Sequence, residues 1–517
     1  MIENPARVAE PPRATSWLGY PRGAWLIISV EFWERFSFYG MLAILVLFLT
    51  GTPSHGGFGW SAAKAIAVVG AYTGSMYAFP AFGGYLADRV LGRRRAVAIG
   101  ASFMLVGQVL MTAPTFLPAA LGAWHGVPLL DALHTVGVPL GQIFPSQTVQ
   151  AALILHGDAL DAHFGGAWLK EAYSAAAAGF YVALLCLIVG NALMKSTLVV
   201  LCGESFEPGD SHRESAYAYY YLGIAVGAML SGIIVGAAAE SYGWQYGFGV
   251  AAVGMAVALG LYLALAPRWL ANIGARPAPR TRLPAQVPAS VPRRDSAARR
   301  EDLRRIRLLL VLATLLCVFS VGWFQMFGSW ALFLERWVDR RVGSLVIPVP
   351  WFSSWQGLVV IVLTPFVANW LLRRAARNRQ VDIVQKYVFA LGTVGCGHLL
   401  MWIGALGARA DSPAPLWIPI VAFGVIALGE LVAWTATYGV VSRAAPAGLA
   451  SMTMGAWYLL TLGLGGYLSG FSGRAVDAYG FAPTFAGAGL LAAVFAAAGM
   501  CLRAPLKRLA ASAGVSI

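Results

Sequence analysis

Charge is what this chain of 517 residues has least of. Only 12% of its residues are Asp, Glu, Lys or Arg, roughly half the share of soluble globular domains, while 58% are hydrophobic and the mean hydropathy is +0.68. That excludes a water-soluble fold and leaves an all-α polytopic membrane protein. Lysine is scarcer still: Lys64, Lys170, Lys195, Lys386 and Lys507 are the whole set, and none follows a glycine. The GxxxxGK[ST] loop that cradles the phosphates of a nucleotide is therefore missing. Any uphill work by this chain would draw on an ion gradient or on a separate ATPase subunit. The HExxH, GxSxG and CxxC patterns are missing too, and the chain is not expected to be an enzyme. The five cysteines (Cys186, Cys202, Cys317, Cys396 and Cys501) are odd in number and without short spacings. That argues against a disulfide framework or a metal site and predicts buried apolar thiols.

What is present is a series of apolar stretches, each long enough to cross about 30 Å of hydrocarbon as a helix. They fall near 24–50, 62–86, 94–113, 176–202, 217–239, 247–266, 306–333, 347–372, 384–408, 415–440, 448–472 and 482–502. The basic residues orient these twelve spans. Arg22 precedes the first, Arg89 and Arg93 to Arg95 follow the second, and Arg373, Arg374, Arg377 and Arg379 follow the eighth; Arg443 follows the tenth and Arg503, Lys507 and Arg508 the last. The positive-inside rule then puts both termini in the cytoplasm. The formal charge of +14 is thus a topology signal, with no support for nucleic-acid binding. The polar, Pro-rich N-terminus has no small-residue cleavage pattern and does not read as a cleaved signal.

The predicted domains are a cytoplasmic tail (1–23), a six-helix bundle (24–266), a basic Pro-rich cytoplasmic linker (267–305), a second six-helix bundle (306–502) and a cytoplasmic tail (503–517). Between Pro267 and Arg307 there are eleven Arg, six Pro and three acids, with nothing that could span a bilayer. On the outer side an insert of about 114–175 separates the third and fourth spans, with apolar pieces suited to amphipathic helices or a hairpin. It holds His125, His134, His156 and His163, none with metal-ligand spacing, and His398 on the ninth span reads as packed.

A charge near the centre of a membrane helix costs about 2.5–3.5 kcal/mol on insertion scales, so such residues are site candidates by default. In "EFWERFSFYG" Glu31, Arg35 and Tyr39 repeat every four residues on one face, with Glu34 and Phe38 on the neighbouring stripe. Glu31 and Arg35 can pair at i,i+4. Lys195 lies in the fourth span, in "GNALMKSTL", and Glu430 in the tenth, in "ALGELVAW". The alternative is a static ion pair that only fixes packing, but two acids and one base leave an acid whose proton occupancy can change.

After the second span, "GGYLADRVLGRRR" places Gly84, Asp88, Arg89, Gly92 and Arg93 at the spacing of the loop signature of the major facilitator superfamily. There Gly84 permits close helix approach, Gly92 a tight turn, and Asp88 with the arginines a charge network. "EFWERFSFYG" closely resembles ExxERFxYYG, the first-helix signature of the proton-dependent oligopeptide transporters within that superfamily. The resemblance continues through "LIVGNALMKS", "YYYLGIAVGAMLSGIIVG", "YGWQYGFGVAAVGM", "LERWVD", "GEL" and "MGAWY".

The resemblance implies symport of di- and tripeptides with protons, by alternating access around a midplane cavity, with a proton gradient in place of any cofactor. It assigns Glu31, Glu34, Arg35 and Glu430 to proton coupling. Tyr39, Tyr77 and Tyr221 would line the cavity, with Gln356 as a polar anchor. Lys195 would hold the peptide carboxylate and Glu430 receive its amino group, while Trp457 and Tyr458 would wall a side-chain pocket. A zwitterion needs such a cation and anion at opposite ends of its site, with apolar surface between them. A monomer in a bacterial-type inner membrane is expected.

The departures bear on this assignment. The second arginine usual on the first helix is Leu42, the acid usual on the seventh is Phe324, and the tryptophan four residues before that acid is Ser320. Loss of both charges replaces an outer-gate ion pair with an apolar pair, which is often neutral for stability. Leu42 and Phe324 are therefore expected to pack together when the outer side closes. The amide usual on the fifth helix is Ala225, and the first signature tyrosine is Phe38. A symporter of another small solute, an uncoupled facilitator and a peptide sensor remain as alternatives.

Overall fold

Helix α1 (Arg22–Thr50) is apolar on nearly every side, and most of it is buried. A helix of that kind belongs at the centre of a bundle. The residues that receive it are small. An added Cβ at Gly227 would come within 2.5 Å of the Phe32 carbonyl, and one at Gly254 within 2.8 Å of the Phe36 ring. Gly40 of α1 in turn faces Val235 at 2.6 Å. Small residues let membrane helices approach closely, where dispersion takes over from the hydrophobic effect.

The computed structural model describes residues 19–52, 56–112, 168–207, 210, 212–275, 277, 296–377, 381–445 and 450–515, with isolated positions between 113 and 167. The apolar pieces of the insert, His125, His134 and His156, most of the N-terminal tail and much of the basic linker lie outside them. The N-terminal bundle continues with α2 (Ala62–Ala78), α3 (Pro80–Leu86), a π turn (Ala87–Leu91), α4 (Arg93–Thr112), α5 (Trp168–Glu204), α6 (His212–Tyr242) and α7 (Trp244–Trp269). The C-terminal bundle has α8 (Ser296–Phe324), a 3-10 turn (Gln325–Phe327), α9 (Ser329–Trp337), α10 (Pro350–Ala376), α11 (Ile383–Gly407) and α12 (Trp417–Ala444). It ends with α13 (Ala450–Tyr458), a π turn (Leu459–Gly463), α14 (Leu464–Ser469), α15 (Ser472–Tyr479) and α16 (Phe481–Ser512). Among the described residues ten helices are long and apolar enough to cross a bilayer, and α2 with the run Pro80–Leu91, bent by 40°, brings the number to eleven if that pair is counted as one span. The expected span at 448–472 is instead the broken run α13 to α15. This is a multi-pass membrane protein. Among the described residues, an exception to the all-helical architecture is a small hairpin, β1 (Arg341–Val342) paired with β2 (Leu345–Val346).

The loop motif folds as its residues dictate. Gly92 takes φ +78°, which favours glycine, and lets the π turn reverse into α4. Asp88 accepts from Arg93 at 2.7 Å, and Arg93 also bonds Glu204 at the end of α5, so the network ties three elements together. The closest helix approach, however, is at Gly83 rather than Gly84. A Cβ at Gly83 would lie 1.9 Å from the Ala192 carbonyl oxygen, whereas at Gly84 it would meet only the Ser196 hydroxyl at 2.8 Å. Backbone cannot move aside as a side chain can. Gly83→Ala is therefore expected to cost about 3 kcal/mol or more, and Gly84→Ala much less. Thermal unfolding of the two variants in detergent checks this, and equal midpoints would contradict it.

The two bundles meet mainly along α6 with α10 and along α2 with the broken run α13 to α15. In the second contact glycines pair backbone to backbone: a Cβ at Gly70 would sit 2.7 Å from Gly470, and one at Gly74 2.8 Å from the Gly463 carbonyl. At one end of these contacts polar clasps also join the bundles. Glu240 accepts from the Val349 amide at 2.7 Å and from Arg340 at 3.2 Å, Trp351 donates to the Ile233 carbonyl at 3.1 Å, and the Ala63 amide donates to Asp477 at 2.8 Å. Asp382, by contrast, stays within its own bundle. It caps α11 and takes Arg503 at 2.9 Å and Lys507 at 3.0 Å. Burial works against its charge, but the Gln385 amide and the two cations outweigh it and hold the carboxyl below the ordinary aspartate value of 3.8.

The cysteines correct one expectation. Cys202 and Cys317 are buried and Cys186 is partly so, but Cys396 and Cys501 are exposed on membrane-spanning helices. An apolar thiol is as well accommodated by lipid as by a bundle core.

Candidate functional site

The charges of α1 are packed into the N-terminal bundle, away from the bilayer. Arg35 Nε lies 3.2 Å from Glu31 Oε1 and 2.5 Å from Glu34 Oε2, and all three side chains are at most 4% exposed. The i,i+4 spacing read from the sequence thus forms a pair, and Glu34 joins it from the next stripe. Arg35 also lies 5.2 Å from the Phe38 ring centroid and donates from Nη2 to Asn191 Oδ1 of α5 at 3.4 Å. Asn191 is itself fixed, its Nδ2 donating to the Met76 carbonyl of α2 at 2.7 Å. The hydroxyl of Tyr220 lies beside Glu31.

One turn along α5 from Asn191, Lys195 stands over the face of Tyr77, with Nζ 3.9 Å from the ring centroid. Lys195 is also within electrostatic reach of Glu31, Glu34 and Arg35. Tyr77 hydrogen-bonds Tyr39, and both lie within electrostatic reach of Arg35 and Glu430. Tyr39 also senses Tyr221 and lies 6.4 Å from Phe327, ring to ring. Across the bundle interface, Glu430 of α12 accepts from Trp323 Nε1 at 2.8 Å and from Gln356 Nε2 of α10. These bonds fix its carboxylate, as preorganised sites require.

The site is therefore layered. Glu31, Glu34, Arg35 and Asn191 are sealed, whereas Lys195, Tyr39 and Glu430 are partly exposed and Tyr221 is exposed. Trp457 is buried at the end of α13, with its indole N–H unpartnered, and half-buried Tyr458 packs beside it. The Trp457 indole N–H makes no hydrogen bond to the charged groups. Leu42 and Phe324, expected at an apolar gate, are both buried, and Phe324 makes a cross-bundle ring contact to Tyr77 at 6.1 Å. His398 is buried, its Nδ1–H donating to the Val394 carbonyl at 2.9 Å, and it packs on Trp330 at 5.0 Å.

Three contributors were missed in the sequence. Asn191 precedes Lys195 by one helical turn and shares its face, which is a readable signal. Trp323 and Tyr220 carry no such signal, because their contacts with Glu430 and Glu31 join distant helices.

Comparison with known proteins settles the family. Residues 94–294 and 289–482 match the model of the POT family, so that most of the chain is covered. The chain belongs to the POT family. Among curated relatives, the peptide transporter YePEPT of Yersinia enterocolitica is 25% identical, over 96% of this chain and 97% of its own. The di-/tripeptide transporter of Lactococcus lactis is 24% identical, over 86% and 87% respectively. A mutant of the peptide transporter POT, solved in complex with alafosfalin, superposes with a TM-score of 0.76 at 22% identity, covering 96% of this chain and 97% of that one. The POT chain described here therefore has the major facilitator fold, as expected from its loop motif.

Proposed function

We propose that this POT family member is a proton-coupled symporter that imports di- and tripeptides by alternating access. The observation that carries the reading is the layering of the site, with a buried group of Glu31, Glu34 and Arg35 within electrostatic reach of a partly exposed set that ends in Lys195 and Glu430. Lys195 holds the peptide carboxylate. Glu430, oriented by Trp323 and Gln356, receives the amino group. Tyr39, Tyr77 and Tyr221 line the space between, and Trp457 and Tyr458 wall a side-chain pocket. The names of the Yersinia and Lactococcus relatives support the substrate class.

Coupling follows from charge balance. Glu31, Glu34, Arg35 and Lys195 sum to zero when all are ionised. In a water-poor bundle that balance matters more than in solution. A peptide carboxylate at Lys195 adds one negative charge, and a proton on Glu34 restores neutrality. Glu430 supplies a further proton site when no amino group occupies it. The energy comes from the proton gradient, with no cofactor and no metal. Leu42 and Phe324 serve as an apolar outer gate, Phe324 closing on Tyr77 in the outer-sealed state. The protein works as a monomer in an inner membrane of bacterial type, with both termini in the cytoplasm.

Competition in reconstituted vesicles tests the substrate class. Counterflow of labelled dialanine should be inhibited by unlabelled di- and trialanine and not by alanine or tetraalanine. Equal inhibition by single amino acids or other organic acids would favour a different small solute, a reading to which Ala225 and Phe324 also point.

A further inference from the structure

Helix α1 has a second buried polar face, which the substrate groups do not use. Glu34 meets Arg35 through Oε2, and its Oε1 makes no hydrogen bond to another protein group. One turn along the same stripe, Ser37 is fully buried and its hydroxyl is likewise unpartnered. Gln108 of α4 reaches across to it: Nε2 donates to the Ser37 carbonyl at 3.4 Å, while Oε1 has no partner. Tyr72 of α2 closes the group. Its ring lies 6.3 Å from Phe38, and its buried hydroxyl is unpartnered and within electrostatic reach of Glu34.

Buried polar atoms are almost always hydrogen-bonded, to protein or to ordered water. Four orphans on three neighbouring helices are a pattern that water relieves. The two hydroxyls can donate, and Glu34 Oε1 and Gln108 Oε1 can accept, which gives the two to four partners that an ordered water needs.

On these grounds we infer that Glu34, Ser37, Tyr72 and Gln108 line a hydrated pocket behind α1, whose water passes to Glu34 the proton that couples transport. The inference rests on the symport reading above. A hydronium on the outer side of the pocket releases its proton along hydrogen-bonded water. An O–H bond forms at Glu34 Oε1, the carboxylate becomes a carboxylic acid, and the hydronium is left as water. The other charged or titratable groups facing Glu34 are Glu31 and Arg35 on its own helix, Lys195 on α5 and Tyr72 on α2. Substrate meets the Lys195 and Tyr77 side, so proton and peptide reach Glu34 from different directions.

Two measurements test the inference. A structure of the full chain at water-resolving resolution should show density within hydrogen-bond distance of Ser37 Oγ and Gln108 Oε1. A direct bond from Tyr72 to Glu34 with no such density would overturn the pocket, whatever the substrate. In proteoliposomes, Gln108→Leu and Ser37→Ala should each lower gradient-driven dialanine uptake, relative to counterflow at equal pH, by about tenfold. An unchanged ratio, or equal loss in both modes, would mark these residues as packing groups and overturn the proton role. Failure of the wild type to accumulate dialanine would instead remove the symport reading and the proton role together, leaving the water site to be decided by density.

Discussion

Glu34→Gln should abolish accumulation of dialanine against its gradient while leaving exchange of labelled for unlabelled peptide intact. The amide keeps the shape of the side chain, and its oxygen can still accept from Arg35 Nε, which lies 2.5 Å from the carboxylate in the native chain. What is lost is the charge. With Glu34 neutralised, Arg35 and Lys195 face Glu31 alone, the same balance that a bound proton would give. The carrier is then fixed in its protonated arrangement. It can load a peptide carboxylate at Lys195 and turn around, but it cannot release a proton and so cannot do work. Accumulation by the variant at wild-type level would show that coupling lies elsewhere, with Glu430 the next site to examine.

The second large effect is expected at Glu430. In Glu430→Gln the ammonium of a peptide loses its charged partner, and truncating one side of a desolvated charge pair costs about 2 kcal/mol or more. That corresponds to a rise in KM of roughly thirtyfold. Trp323 can still donate to the amide oxygen, but the new NH2 group then faces Gln356, also a donor. The diagnostic is selectivity. The native protein should prefer dialanine to N-acetyl-dialanine, and the variant should lose that preference. A KM for dialanine that stays constant on substitution would contradict the assignment.

Features set by local geometry could be read without coordinates. The four-residue spacing of Glu31, Arg35 and Tyr39 defines one helix face whatever surrounds it, and Gly92 with Asp88 and Arg93 defines a turn and its charge pair. Contacts between distant helices could not be read in this way. Glu204, 111 residues from Arg93, completes the loop network, and Trp323 orients Glu430 from 107 residues away. Neither partner is marked by periodicity, because a bundle core accepts any polar group that finds a mate. The choice of Gly83 over Gly84 as the close contact depends on helix rotation, which α3 sets by restarting at Pro80. The break in the 448–472 span was hidden for a related reason, since its π turn interrupts an otherwise continuous apolar run. Cys396 and Cys501 misled because hydrophobicity alone does not separate a lipid-facing side chain from a buried one.

The most direct test of the proposed symport is uptake of labelled dialanine into proteoliposomes with and without an inward proton gradient. One pH unit is worth about 1.4 kcal/mol per proton, enough for roughly tenfold accumulation at one proton per peptide. The account predicts internal dialanine well above the external concentration when the gradient is imposed, and collapse of that excess on adding a protonophore. Uptake that levels off at equal concentrations in both conditions would contradict it.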